Sequence, residues 1–254
     1  MRRDFLFAGL IWVIVTALAI IGTAAMDPFP TVASEEADLI DEGFVVMTYM
    51  AAPVLGLVVA ALIYSIIRFR SVGDPVEDGL PIRGTGWVPK AWIGWTTALA
   101  VAVMIYPGLT GLASLRSDKS ADLEVNITGI RWAWVVEYPE SGISITSASE
   151  LMLPVDRRVR FNVSAPPGDV LHSFWIPAFR MKIDAVPGQI NTVYITPTET
   201  GNREEDVAFR LQCAELCGLL HSRMTMAVRV VTGEEFDAWV AEQATTTAAS
   251  TKGR

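Results

Sequence analysis

Apolar positions along the chain follow two regimes that meet near residue 116. In the first, they form uncharged runs: Phe5–Met26, Gly43–Ile67 and Ala91–Leu115. The shortest has 22 residues, and a helix needs about 20 to cross a bilayer core. In the second, apolar residues alternate with polar ones. LEVNI places Leu123, Val125 and Ile127 on one face, and RVRFNV does the same with Val159, Phe161 and Val163. VAFRL aligns Val207, Phe209 and Leu211, and MTMAVRVV aligns Met224, Met226, Val228 and Val230. RWAWVVEY, ISITS and INTVYIT are further candidates, and period two predicts half-buried strands. Turn segments separate them: YPESG, SAPPGD, VPGQ and TETGN. Short strands without intervening helical period predict a β-sandwich or barrel. EEFDAWVAEQ reads as a short helix closing that domain, and TTTAASTKGR has no apolar pattern and reads as disordered. The expected division is therefore 1–26, a first hydrophobic segment; 27–115, a helical hairpin region; 116–242, an all-β domain; and 243–254, a tail.

Charge orients these regions. The segment between the first two runs holds six acidic residues and no Lys or Arg, whereas the next carries Arg68, Arg70, Arg83 and Lys90. Arg2 and Arg3 precede the first run. The positive-inside rule puts the N-terminus and the second loop in the cytoplasm, so the β domain lies outside. The first run is read as a retained helix, because it exceeds the usual 7–15 residue core of a secretion signal; a cleaved leader is the competing reading. Both leave the β domain outside. A net charge of −8, from 20 basic and 28 acidic residues, argues against nucleic-acid binding.

Chemistry concentrates in CAELCGLLHSRM, residues 213–224. It holds both cysteines and one of the two histidines of the chain. Cys213, Cys217 and His221 recur every four residues, and Met224 follows three later. The loop connects two predicted strands, where a rigid scaffold presents functional groups. His172, in GDVLHSFWIP, could reach it from a neighbouring strand. Three modest readings compete. A Cys213–Cys217 disulfide suits an oxidising compartment but leaves both histidines unexplained. A structural zinc site uses two Cys and two His but not Met224. A one-copper site uses two His, one Cys and a weak Met, and strands a thiolate. The full set of soft donors suits two ions sharing both thiolates, each completed by one histidine and one weak ligand, and copper accepts such donors.

CAELCGLLHSRM resembles the C-x-E-x-C-G-x-x-H-x-x-M loop of cytochrome c oxidase subunit II. GDVLHSFWIPAFRMKIDAVPGQIN resembles the segment that supplies that family's first histidine, and GIRWAWVVEYP its aromatic motif. The resemblance implies two or three membrane helices followed by a cupredoxin-like Greek-key β-sandwich. It implies a binuclear copper (CuA) centre, with Cys213 and Cys217 bridging and His172 and His221 each terminating one copper. Met224 would be a weak ligand to one copper and the Glu215 carbonyl to the other. The Glu215 side chain would reach a magnesium ion shared with subunit I, since Mg²⁺ takes few protein groups. Trp132 would be the exposed indole that receives the electron; without the resemblance it and Trp134 read as one packed strand face. Trp175 reads as packing near the site, and Asp184 as facing subunit I or forming a salt bridge.

The implied function is that of a subunit of a proton-translocating terminal oxidase. It accepts electrons from cytochrome c or a small copper protein and passes them to haem in subunit I, in the lipid of a prokaryotic plasma membrane. Alternatives are the CuA subunit of a nitric oxide reductase and a membrane-anchored copper-assembly protein. Three departures bear on this. GIRWAW stands where the family often has GHQWYW. The stretch after Tyr138 is short; residues 116–254 hold 14 basic and 18 acidic residues, so steering of a basic donor is weak and further screened over about 8 Å of Debye length. Trp92 occupies the position where many relatives carry a proton-conducting Glu.

Overall fold

Each long apolar run forms a helix in the computed structural model, which describes residues 2–26, 29–70, 73, 84–115 and 120–252. Arg83 and the start of the linker, residues 116–119, lie outside the described residues. The helices are α1 (Arg2–Ala25), α2 (Glu35–Arg68) and α3 (Trp87–Val103). Beyond Val103 the helix kinks at Tyr106, where the backbone is extended before Pro107, and resumes as α4 (Thr110–Leu115). Pro lacks the N–H that would continue the ladder. By length and composition, three helical stretches can cross a membrane: Arg3–Ala25, Glu35–Arg68 and Trp87–Leu115. The chain divides into two compact units. In the helical unit, α1 meets α2 through specific contacts. The Trp12 indole donates to the Pro53 carbonyl at 2.8 Å, and Tyr64 donates to Asp4 at 2.6 Å. Gly56 leaves no room for a side chain against Thr16 and Trp12, the close approach that small residues allow in membranes.

The second unit comprises Phe29–Ile40 and Leu115–Arg254. Its strands run β1 (Leu123–Ile130), β2 (Ala133–Tyr138), β3 (Ile143–Thr146), β4 (Glu150–Pro154), β5 (Val159–Ser164), β6 (His172–Trp175), β7 (Lys182–Ala185), β8 (Asn191–Ile195), β9 (Gly201–Asn202), β10 (Arg210–Cys213) and β11 (Thr225–Val231). One sheet has the order β3-β2-β1-β5-β8. The other has β4-β11-β10-β6-β7, with β9 also on β11. Both are mixed: β1 pairs β5 in parallel, as β4 does β11. This is a β-sandwich behind N-terminal apolar helices, as expected.

The inner faces follow the alternation read from sequence. Val125 and Ile127 on β1 oppose Phe161 and Val163 on β5, all fully buried. Met224, Met226, Val228 and Val230 are buried along β11 and its start. Tyr138 ties the sheets together: its hydroxyl donates to the Met152 carbonyl at 2.8 Å and accepts from the Met152 amide at 3.0 Å. At the domain's end, Thr232 and Glu235 form a reciprocal cap, Glu235 N to Thr232 Oγ1 and Thr232 N to Glu235 Oε2. It starts α5 (Gly233–Lys252), which lays Phe236 and Trp239 against Tyr138.

Four details differ from the sequence pattern. Val207 is 62% exposed in a turn, because the strand begins only at Arg210; alternation cannot say where a strand starts. Trp132 lies in the turn between β1 and β2, so it does not share a strand face with the buried Trp134. α5 is longer than the helix expected and runs on to Lys252, through a Thr-rich end of low intrinsic helix propensity. The stretch Phe29–Ile40 packs with the sandwich. Ala33 N donates to the Ala178 carbonyl, Thr198 N to the Ala33 carbonyl, and Thr196 N to buried Glu36 at 2.9 Å.

Candidate metal centre

The antiparallel pair β10/β11 makes the site local in one dimension. Cys213 ends β10, the chain loops out, and Met224 precedes β11. Cys213 N donates to the Met224 carbonyl at 3.0 Å, closing the neck of the loop. Pairing of β10 with β6 supplies the other dimension. Cys213 stands opposite Phe174, and Ala214 N donates to the Ser173 carbonyl at 2.9 Å. His172, at the start of β6, is thereby brought under the loop.

The donors converge. The two sulfurs are 3.7 Å apart and not bonded to each other. His172 Nδ1 is 3.9 Å from Cys213 Sγ, and His221 Nδ1 is 3.5 Å from Cys217 Sγ. Met224 Sδ lies 3.7 Å from Cys217 Sγ, and the Glu215 carbonyl oxygen 3.1 Å from Cys213 Sγ. One histidine and one weak donor thus attend each thiol. Among the described residues, His172, Cys213 and Cys217 form the one group of three His, Cys or carboxylate ligands close enough to share an ion. Two sulfurs on one ion at about 2.3 Å each can be no more than about 4.6 Å apart, so their spacing fits bridging without rearrangement. A free pair of buried thiols, two imidazole Nδ1 atoms and a thioether is a soft-metal set.

Electrostatics prepare the two ends differently. His172 is fully buried and burial pulls it below the ordinary imidazole range, against Asp169. Asp169 Oδ1 lies 3.7 Å from His172 Nε2, beyond a hydrogen bond, so it acts on the ring through its charge. This favours the proton on Nε2 and leaves Nδ1 as the donor toward the cysteines. Asp169 is itself held. Burial opposes its ionisation but is outweighed by the Val170 and Arg131 amides and the Arg131 guanidinium, 2.7 Å away, so its carboxyl stays below the usual range. Burial, then the neighbouring Cys213, pushes the Cys217 thiol up to about 12. Metal binding must displace that proton.

Around the cluster, the Trp132 indole donates to the Cys217 carbonyl at 3.0 Å. Gly218, at φ +110°, lets the loop pass beneath this ring. Half-buried Trp132 therefore touches both solvent and the backbone of Cys217. Trp175 is half-buried, with Lys182 Nζ 4.7 Å from its ring centre. Asp184 is exposed. Glu215 is exposed, and its carboxylate joins no ligand cluster among the described residues. All five side-chain copper ligands expected from sequence come together. Asp169 was missed; the D-x-x-H spacing of GDVLH was its one visible sign.

A family model described as "Cytochrome C oxidase subunit II, periplasmic domain" matches residues 143–231. Cytochrome c oxidase subunit 2 of Synechocystis sp. is 30% identical over 281 residues, covering 92% of this chain and 81% of that one. The chain belongs to the cytochrome c oxidase subunit II family. Heme-copper oxidase subunit 2 of Aeropyrum pernix is 31% identical, with 76% of this chain and 85% of that one covered. Among solved structures, the periplasmic domain of subunit II of cytochrome oxidase (CoxB) of Bradyrhizobium japonicum matches with TM-score 0.45 and 33% identity, over 51% of this chain and 99% of that one. As a subunit II, the chain is part of an oxidoreductase complex, and its Cys/His cluster fits a copper site of the CuA kind.

Proposed function

We propose that this subunit receives electrons singly from a donor protein on the extracytoplasmic face and passes them to haem in subunit I, where oxygen is reduced. One observation carries the reading: two unbonded, buried thiols share a space into which two imidazoles, a thioether and a carbonyl also point. Cys213 and Cys217 would bridge, His172 and His221 would terminate, and Met224 and the Glu215 carbonyl would complete the set. A copper pair so held would supply a one-electron store with little change of shape. The chain's own residues do the rest. β6 and β10 hold His172 and Cys213 on a rigid sheet, which limits reorganisation. Asp169 keeps the His172 tautomer. The burial of Cys213, Cys217, Met224 and His172 excludes water. Trp132 offers a contact that runs from the surface to the Cys217 carbonyl, and we assign it the donor-facing role.

The same reading assigns the exposed Glu215 carboxylate to a magnesium ion completed by subunit I, and places the complex in the lipid of a prokaryotic cell membrane. The donor is a cytochrome c or a small copper protein. The test is electron paramagnetic resonance with metal analysis on the full chain in detergent. Two coppers per chain and a seven-line hyperfine pattern are expected. One zinc, or a four-line spectrum from one copper, overturns the reading.

A further inference from the structure

The inward positions of β1 are Leu123, Val125, Ile127 and Gly129. The first three fill the gap between the sheets with side chains. Gly129 has none, and the imidazole of His172, from the facing sheet, occupies the place. A Cβ on Gly129 would lie 3.1 Å from Cβ, Cγ and Cδ2 of His172. That is roughly 0.4–0.9 Å inside the carbon–carbon optimum. The backbone does not require the glycine, since Gly129 is not among the positive-φ residues. The ring has nowhere to retreat. It is fully buried, and Trp134, which stands opposite Gly129 in the β1/β2 register, meets it edge-on at 6.2 Å. Asp169 stands at Nε2, and Nδ1 points to Cys213.

We infer that Gly129 is a positioning residue for His172: the missing side chain sets how far the imidazole stands from β1 and hence where Nδ1 sits against the thiolates. The missing side chain thus leaves room between the sheets for a ligand rather than for packing. The consequence for metal equivalence rests on the dinuclear reading above; the steric relation does not.

The experiment uses Gly129→Ala in the full chain in detergent, with two arms. In the metal-free arm, thermal unfolding is compared for wild type, Gly129→Ala, His172→Ala and the double variant. Gly129→Ala is expected to lower Tm when His172 is present, and by less than half as much once His172→Ala has emptied the place. Folding of the double variant where Gly129→Ala alone fails is the strongest form of that result. Equal lowering in both backgrounds, no lowering in either, or failure of the double variant to fold overturns the inference. In the copper arm, Gly129→Ala is expected to keep two coppers but lose even spacing of the seven lines and shift the reduction potential. A spectrum and potential identical to wild type overturn the inference. If wild type itself lacks seven lines, the dinuclear reading fails, and the metal-free arm still decides the role of Gly129.

Discussion

The strand-borne and loop-borne halves of the site are built on opposite principles. His172 sits in a sheet, fully buried, with Asp169 at one nitrogen and Trp134 across its ring. His221 sits half-buried in a single short turn, His221–Arg223, on the loop between β10 and β11. The first half is shaped before any metal arrives. The second is held mainly by the neck hydrogen bond, the Trp132 contact and a few turn bonds. A rigid half limits reorganisation, and a loop half can admit and close over a metal. Metal binding should therefore stabilise the loop far more than the strand.

The largest expected effect breaks both halves at once. Cys217→Ser removes a shared ligand. Copper content should fall from two to one or none per chain, the seven-line pattern should vanish, and the metal-dependent rise in stability should be lost. That rise is about 4 kcal/mol when free metal exceeds its dissociation constant a thousandfold, and it is read as the Tm difference between loaded and metal-free chain. Retention of two coppers would dissolve the comparison.

Next come the histidines in the metal-free chain. His172→Ala empties a buried place and should cost about 2–4 kcal/mol, in line with other large-to-small core changes. His221→Ala should cost less than about 1 kcal/mol, as expected for a partly exposed position. Equal costs in chemical unfolding curves of the two variants would remove the contrast.

A smaller effect concerns the support of the rigid half. Asp169→Asn should leave the fold intact and weaken copper binding about 10- to 100-fold, the usual cost of losing an outer-shell partner of a ligating histidine, as measured by competition with a chelator. On the loop side, Met224→Leu conserves volume and should change stability by less than about 1.5 kcal/mol. Its mark should be on the reduction potential rather than on copper content.

The smallest effect is a control in the 29–40 segment, which shares no residue with the site. Glu36 is buried and accepts from the Thr196 amide at 2.9 Å. Glu36→Gln keeps an acceptor for that amide and should change stability in chemical unfolding by less than about 1 kcal/mol. A larger loss would show that the charge itself is needed there.

Legibility in the sequence followed locality. The membrane helices declare themselves as long uncharged runs, and the ligand loop as four donors crowded into one segment. β11 shows its alternation plainly and is buried as read. β6 gave no such sign: His172, Ser173 and Phe174 are all buried, so the strand does not alternate. Trp132 misled because a period-two count continues through a turn as if it were strand. Val207 misled for the same reason. Asp169 and Gly129 carry weak local signals, since their meaning depends on which ring stands against them.

Taken alone, the order of residues determined which segments can enter a bilayer, which faces of the strands are apolar, and which side chains can bind a soft metal. These depend on composition and on spacings of a few residues. The tertiary structure decided that His172 meets Cys213 across 41 positions, that Asp169 faces its other nitrogen, that the 29–40 stretch joins the sandwich, and that Gly129 yields its place to an imidazole. Those facts depend on sheet register and on the thickness of the gap between sheets, which no local pattern encodes.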